Sequence, residues 1–158
     1  MSQTIHRRTF LKGTLAGSAL GVAVSAGLLT PQMALAEWKA EAYRAKTIDD
    51  ALMQLWGSNT VMDSDKIEIN APPIAENGAV VPVTVESSLP NVTSIAILVE
   101  KNPAPLTSSY DFSTRTDAFV KTRIKMGKTS DVVAIVKADG KLYRAKAEVK
   151  VTIGGCGG

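Results

Sequence analysis

The sequence predicts an all-β protein. It reads as an immunoglobulin-like antiparallel β-sandwich, preceded by a short N-terminal helix and followed by a flexible C-terminal Gly-Gly-Cys-Gly-Gly arm. Three observations carry this. The apolar period changes from near 3.6 to 2 after Gly57. Six or seven short, β-branched or apolar runs follow, with turn signals between them. The last two runs are joined by Asp139-Gly140, a two-residue hairpin signal. There is no Cys-Trp-Cys pattern, so an antibody-type domain is not implied. The chain divides into a signal at 1–36, a helical segment at 37–60, a sandwich at 61–153 and an arm at 154–158.

The signal comes first in the chain. Arg7-Arg8 followed by Phe10-Leu11-Lys12 opens a mildly apolar, Gly- and Ala-rich run to Leu29. Ala34-Leu35-Ala36 supplies the small-x-small pattern of a signal peptidase site, with cleavage expected after Ala36 and no membrane anchor. The paired arginines match a twin-arginine export signal, which carries folded cargo into the periplasm. The alternative is an ordinary secretory signal whose basic region holds two arginines.

A helix follows. Thr47 is its cap, with Asp50 as a weaker capping-box partner. Ile48, Ala51, Leu52, Leu55 and Trp56 form one apolar stripe, and Asp49 and Asp50 suit the positive end of the helix dipole. Gly57 ends it. The stripe is core or partner contact rather than a cofactor site.

Ile67 and Ile69 mark the first strand, stopped by Pro72-Pro73, and Asn77-Gly78 is a turn. Val80 to Glu86 is a strand in which Pro82 calls for an edge or bulge position. After the Pro90-Asn91 turn, Ile95 to Val99 is apolar throughout, as in a strand buried on both faces. Asn102-Pro103-Ala104-Pro105 breaks the pattern. From Ala118 to Met126, Val120, Thr122, Ile124 and Met126 share one face, and Phe119, Lys121, Arg123 and Lys125 the other. Val132 to Val136 is a further strand. In the last strand Tyr143, Ala145, Ala147, Val149, Val151 and Ile153 point inward, and Leu142, Arg144, Lys146, Glu148, Lys150 and Thr152 outward.

Composition narrows the function. The chain holds 18 Lys and Arg, 15 Asp and Glu and one His. Cleavage after Ala36 removes Arg7, Arg8, Lys12 and His6 and no acid, so 15 bases face 15 acids and the net charge is zero. The basic pI belongs to the signal and gives no argument for nucleic-acid binding. With no imidazole and one thiol, the mature chain has no Ser-His-Asp or Cys-His machinery and no Cys/His zinc cluster.

The single cysteine, Cys156, stands between Gly154-Gly155 and Gly157-Gly158. Glycines make this stretch thin and permissive. A lone cysteine in an exported protein pairs between molecules or is kept for its reactivity. Its ordinary pKa of about 8.5 leaves about 3% thiolate at pH 7. Its glycine neighbours do nothing to lower that, so a partner must activate it. From Ile153 to Cys156 the extended reach is about 10 Å, enough to enter a narrow cleft.

The tail motif, the twin-arginine signal, the helix end Leu55-Trp56-Gly57 and the segment Ile67 to Pro73 together resemble the SoxY family. These are substrate-carrying subunits of the bacterial thiosulfate-oxidising system. The resemblance implies that Cys156 carries sulfur covalently, first as an S-thiosulfonate and then as persulfide-type species. It implies a carrier rather than an enzyme, with no cofactor beyond the bound sulfur. It also implies a SoxZ-like signal-less subunit as heterodimer partner. A loading cytochrome, a sulfate-releasing hydrolase and a sulfane dehydrogenase would act on the arm. Two basic strand faces, Lys121/Arg123/Lys125 and Arg144/Lys146/Lys150, read as solvated faces rather than docking surfaces. Three alternatives stand beside the carrier: an assembly subunit with an intermolecular Cys156 disulfide, a thiol enzyme acting alone, and a lipid anchor. The missing histidine argues against the second. The position of the cysteine argues against the third.

Overall fold

The computed structural model describes residues 39–113 and 116–152. Two helices, α1 (Ala40–Arg44) and α2 (Ile48–Trp56), precede the strands. The strands are β1 (Val61–Asp63), β2 (Ile67–Asn70), β3 (Ile74–Ala75), β4 (Val81–Ser87) and β5 (Val92–Val99), then β6 (Leu106–Asp111), β7 (Phe119–Ile124), β8 (Ser130–Ala138) and β9 (Lys141–Val151). They form an all-β sandwich of a larger sheet, β1-β9-β8-β5-β6 with β3 also on β9, and a smaller one, β2-β4-β7.

The helix forms where its caps predict. Thr47 Oγ1 accepts from Asp50 N at 3.1 Å. Gly57 adopts the left-handed conformation, φ 70°, and its N–H donates to Met53 O. The Lys39 ammonium donates to the Leu55 carbonyl, placing a cation at the negative end of α2. The helix stripe is buried at Ala51, Leu52 and Leu55. It packs on Ala96, Leu98, Val133, Ile135 and Leu142 of the larger sheet.

The core proper lies between the sheets. Val81, Val83 and Val85 of β4 with Val120 and Ile124 of β7 meet Ile95, Ile97 and Val99 of β5 and Val132, Ala134 and Val136 of β8. The larger sheet is thus covered on both sides, which is why β5 is apolar without alternation: odd positions face the smaller sheet and even positions face the helices. In the alternating strand, Val120, Ile124 and Met126 are buried while Phe119, Lys121, Arg123 and Lys125 are exposed. Asp139 and Gly140 both take positive φ, 49° and 73°, as a type I′ hairpin turn requires.

Several expectations are corrected. Nine strands, not six or seven, are present among the described residues. The edge is not purely antiparallel: β1 and β3 both run parallel to β9. Between Asp63 and Ile74 the chain takes eleven steps while β9 takes six from Arg144 to Lys150; the surplus is spent on β2, which dips into the other sheet. Leu142 is not solvent-facing but 3% exposed, because the helices cover that face. Pro82 lies on the central strand of the smaller sheet. β2 reaches only to Thr84, so β7 alone flanks the proline.

Candidate functional site

The residues singled out for chemistry lie outside the described ones: Cys156 with Gly154, Gly155, Gly157 and Gly158, and in the leader Arg7, Arg8, Phe10, Leu11, Lys12, Ala34 and Ala36. The structure describes the place from which the cysteine segment departs, the end of β9 at Val151 and Thr152.

That end is held from four directions. The Thr129 hydroxyl accepts from Val151 N at 3.0 Å and returns a bond to Val151 O at 3.4 Å. Thr152 N donates to Ala75 O at 3.1 Å, continuing the β3–β9 pairing. Lys150 N donates to Pro73 O at 3.0 Å. Gly78, in the turn before β4, lies against Val151. A Cβ there would come within 2.8 Å of Val151 Cγ1 and 2.4 Å of Met126 O. Only a residue without a side chain permits that approach. Met126 N in turn donates to Gly78 O at 2.7 Å. The stretch before β4, the stretch after β7, the stretch before β8 and β3 therefore converge on the end of β9.

The Asn77-Gly78 turn was visible in the sequence, and Asn77 Oδ1 does accept from Ala79 N at 2.9 Å. Its contact with Val151 was not visible, because nothing local encodes a packing partner more than seventy residues away. Nor does any local signal mark Thr129 as the partner of Val151.

The two basic faces differ. On β9, Arg144 makes a two-pronged pair with Asp63, Nε to Oδ1 at 2.7 Å and Nη2 to Oδ2 at 3.1 Å. The hydrogen bonds from Arg144 hold the Asp63 carboxyl below the ordinary range, and those to Asp63 hold the guanidinium above its own. Lys146 lies 3.6 Å from Glu100 and 4.0 Å from Asp131. On this face Arg144 and Lys146 are ion-paired, and no ion pair involves Lys150 among the described residues. On β7, Lys121 and Arg123 line a shallow depression with Pro82 and Thr122. Burial raises the Tyr43 hydroxyl pKa, partly offset by a hydrogen bond with the Ser109 backbone.

A groove of about 490 Å³ runs between the start of α2 and the larger sheet, floored by Leu52, Val61, Val133 and Ile135. Its rim carries both signs, with Lys46, Arg144 and Lys146 against Asp49 and Glu100. Arg144 is eight residues before Thr152, about 27 Å along a strand, so this part of the groove is remote from the end of β9. Among the described residues no group of His, Cys, Asp or Glu is placed to hold a metal. None of their helices is long and apolar enough to cross a membrane.

Comparison with known proteins bears on this geometry. The family model for the sulfur oxidation protein SoxY matches residues 52–156, so the match extends to Cys156. Among solved structures, the sulfur carrier protein SoxY from Chlorobium limicola f thiosulfatophilum is 48% identical, with a TM-score of 0.62, over 68% of this chain and 97% of that one. Superoxide reductase (neelaredoxin) from Ignicoccus hospitalis is 19% identical, with a TM-score of 0.50, over 55% of this chain and 80% of that one. A variant of that enzyme is 17% identical, with a TM-score of 0.52, over 58% and 94%. These two show a shared fold alone. No curated protein is a significant match. The family model and the 48% identical structure agree, and the chain belongs to the SoxY family of sulfur oxidation proteins.

Proposed function

We propose that this chain is an exported carrier that holds sulfur intermediates of thiosulfate oxidation on Cys156 and presents them to partner enzymes. The observation that carries this reading is the family match that runs to Cys156, on a chain whose β9 is fastened up to Thr152. Residues 1–36 serve as a twin-arginine signal cleaved after Ala36, and the protein works in the periplasm. It leaves the cytoplasm folded with a SoxZ-like signal-less subunit.

The chemistry is assigned to partners. A cytochrome joins thiosulfate to the Cys156 thiolate, forming one S–S bond and removing two electrons, to give the S-thiosulfonate. A hydrolase then adds water, releasing sulfate and a proton and leaving a persulfide. A sulfane dehydrogenase oxidises the outer sulfur to the sulfonate, with three waters supplying the oxygens and six electrons and seven protons leaving, the electrons to a redox-protein acceptor. Cys156 contributes a sulfur atom, and the glycines at 154, 155, 157 and 158 let a narrow pocket close around it.

The test is non-reducing intact mass of the chain after incubation with thiosulfate and the loading cytochrome. The expected result is a reductant-removable thiosulfonate adduct on monomeric chains, lost in Cys156→Ser with the fold and partner binding retained. A cysteine that yields only disulfide-linked dimers makes the chain an assembly subunit instead. A partner subunit that reaches the periplasm without this chain refutes joint export.

A further inference from the structure

Asn77 is the one asparagine in the sequence that precedes a glycine. Asparagine is a thermolabile residue. Its breakdown is intramolecular: the backbone nitrogen of the next residue attacks the side-chain amide carbon. Three atoms decide whether this happens, namely the attacking nitrogen, the amide carbon and the departing amide nitrogen. The turn before β4 leaves all three ready.

Asn77 Oδ1 accepts from Ala79 N at 2.9 Å. That bond closes a ring containing both Asn77 Cγ and Gly78 N, so it folds the amide carbon back towards the nitrogen that attacks it. It also polarises the side-chain carbonyl, which makes Cγ the better electrophile. Val80 N donates to Asn77 O at 3.3 Å and Met126 N to Gly78 O at 2.7 Å, so the turn is held on both sides of the reacting peptide. Such fixed proximity favours an intramolecular reaction. The Gly78 N–H makes no hydrogen bond among the described residues, and neither does the Asn77 amide nitrogen. Asn77 is exposed, so water reaches it, and Gly78 has no side chain to block the approach. The other four asparagines each lack a condition. Asn59 and Asn91 precede the β-branched Thr60 and Val92. Asn102 precedes Pro103, which has no N–H. Asn70 lies within β2, paired with Thr84.

We propose that Asn77-Gly78 is a site of spontaneous covalent modification, and that its product loosens the end of β9. Gly78 N gives up its proton and bonds to Asn77 Cγ. The Cγ–Nδ2 bond breaks, and ammonia leaves with that proton. Water, the only co-reactant, then opens the resulting succinimide. Breaking the bond from Gly78 N to Cγ leaves aspartate. Breaking the bond from Gly78 N to the Asn77 backbone carbon leaves isoaspartate, whose main chain runs through Cβ and Cγ and is longer by a methylene. The added length falls immediately before Gly78, where there is no slack. A Cβ on Gly78 would already come within 2.4 Å of Met126 O and 2.8 Å of Val151 Cγ1. Isoaspartate therefore displaces Gly78 from this wedge, and the packing on Val151 and the bond from Met126 N go with it.

The test holds the full chain in warm, mildly alkaline buffer, beside a free peptide of residues 74–81, and maps the products by mass spectrometry. The expected result is conversion of Asn77 in the folded chain at a rate no lower than in the peptide, rising with pH. Isoaspartate should be among the products, and the other four asparagines should stay intact. Asn77→Gln should lose the reaction, because its longer side chain must close a larger ring. Slower conversion in the folded chain than in the peptide overturns the proposal, since the turn then protects the site. Amide exchange reads the coupling to β9. Val151 and Thr152 should exchange faster in the isoaspartyl form than in Asn77→Asp, which carries the same charge without the longer main chain. Equal exchange in the two overturns the link to β9. None of these measurements involves Cys156, so the carrier reading stands or falls on its own test.

Discussion

At Gly78 the fold has no room for a methyl group: the position is wedged between the Met126 carbonyl and the Val151 side chain at the end of β9. A Cβ 2.4 Å from the Met126 carbonyl forces backbone to move. Gly78→Ala should cost about 1–3 kcal/mol, as overpacking does, read as a shift in urea midpoint at constant slope. Thr129→Val keeps the shape and removes both bonds to Val151. The Val151 N–H is then left without its acceptor, at a cost of about 1–3 kcal/mol. Faster hydrogen exchange at Val151 would show the loss to be local. The Asp63–Arg144 pair makes a pH prediction. The folded state lowers the Asp63 pKa, so its contribution is fully present above the ordinary value of about 3.9 and fades as pH falls through the lowered value. Asp63→Asn should therefore be less stable than the unaltered chain at neutral pH, with the difference closing in acid. A difference that persists undiminished at the lowest pH would assign the effect to something other than the charge pair.

At the scale of elements, α2 was legible because several local signals agree on it. A capping threonine, acids in the first turn, an apolar stripe and a terminal glycine all point to the same nine residues. Thr47→Ala should cost about 0.5–2 kcal/mol through loss of the bond to Asp50 N. Leu52→Ala should cost about 2–5 kcal/mol, since Leu52 is 1% exposed between helix and sheet. Both are measured by thermal or chemical unfolding. The β4, β5, β7 and β8 strands were legible for the same reason, as their periodicity records burial on one face or both. β6 was not. Its sequence, Leu-Thr-Ser-Ser-Tyr-Asp, carries little apolar signal, and it is held by its backbone pairing to β5 at the sheet edge. The parallel placement of β1 and β3 was equally hidden. Strands of three and two residues have no period to read, and their partner β9 lies far away in sequence. Leu142 was misread because strand alternation gives two faces but does not say that a helix covers the second.

For the whole molecule, the described residues account for the sandwich and for the end of β9. Sequence pattern specified the sandwich because burying an apolar face needs only the right period. The place of the thiol between two glycine pairs is read from the sequence directly and lies outside the described residues. What surrounds its root depends on where distant segments meet, and no local pattern encodes that meeting. On the proposed reading, the sandwich fixes where the segment that bears Cys156 begins. The most direct measurement is tandem mass spectrometry, without reductant, of the Cys156 peptide from protein isolated from cells oxidising thiosulfate. The account predicts sulfur-bearing adducts, thiosulfonate and persulfide, on Cys156 of monomeric chains. Cys156 found only as free thiol or as an intermolecular disulfide while thiosulfate is being consumed would contradict it.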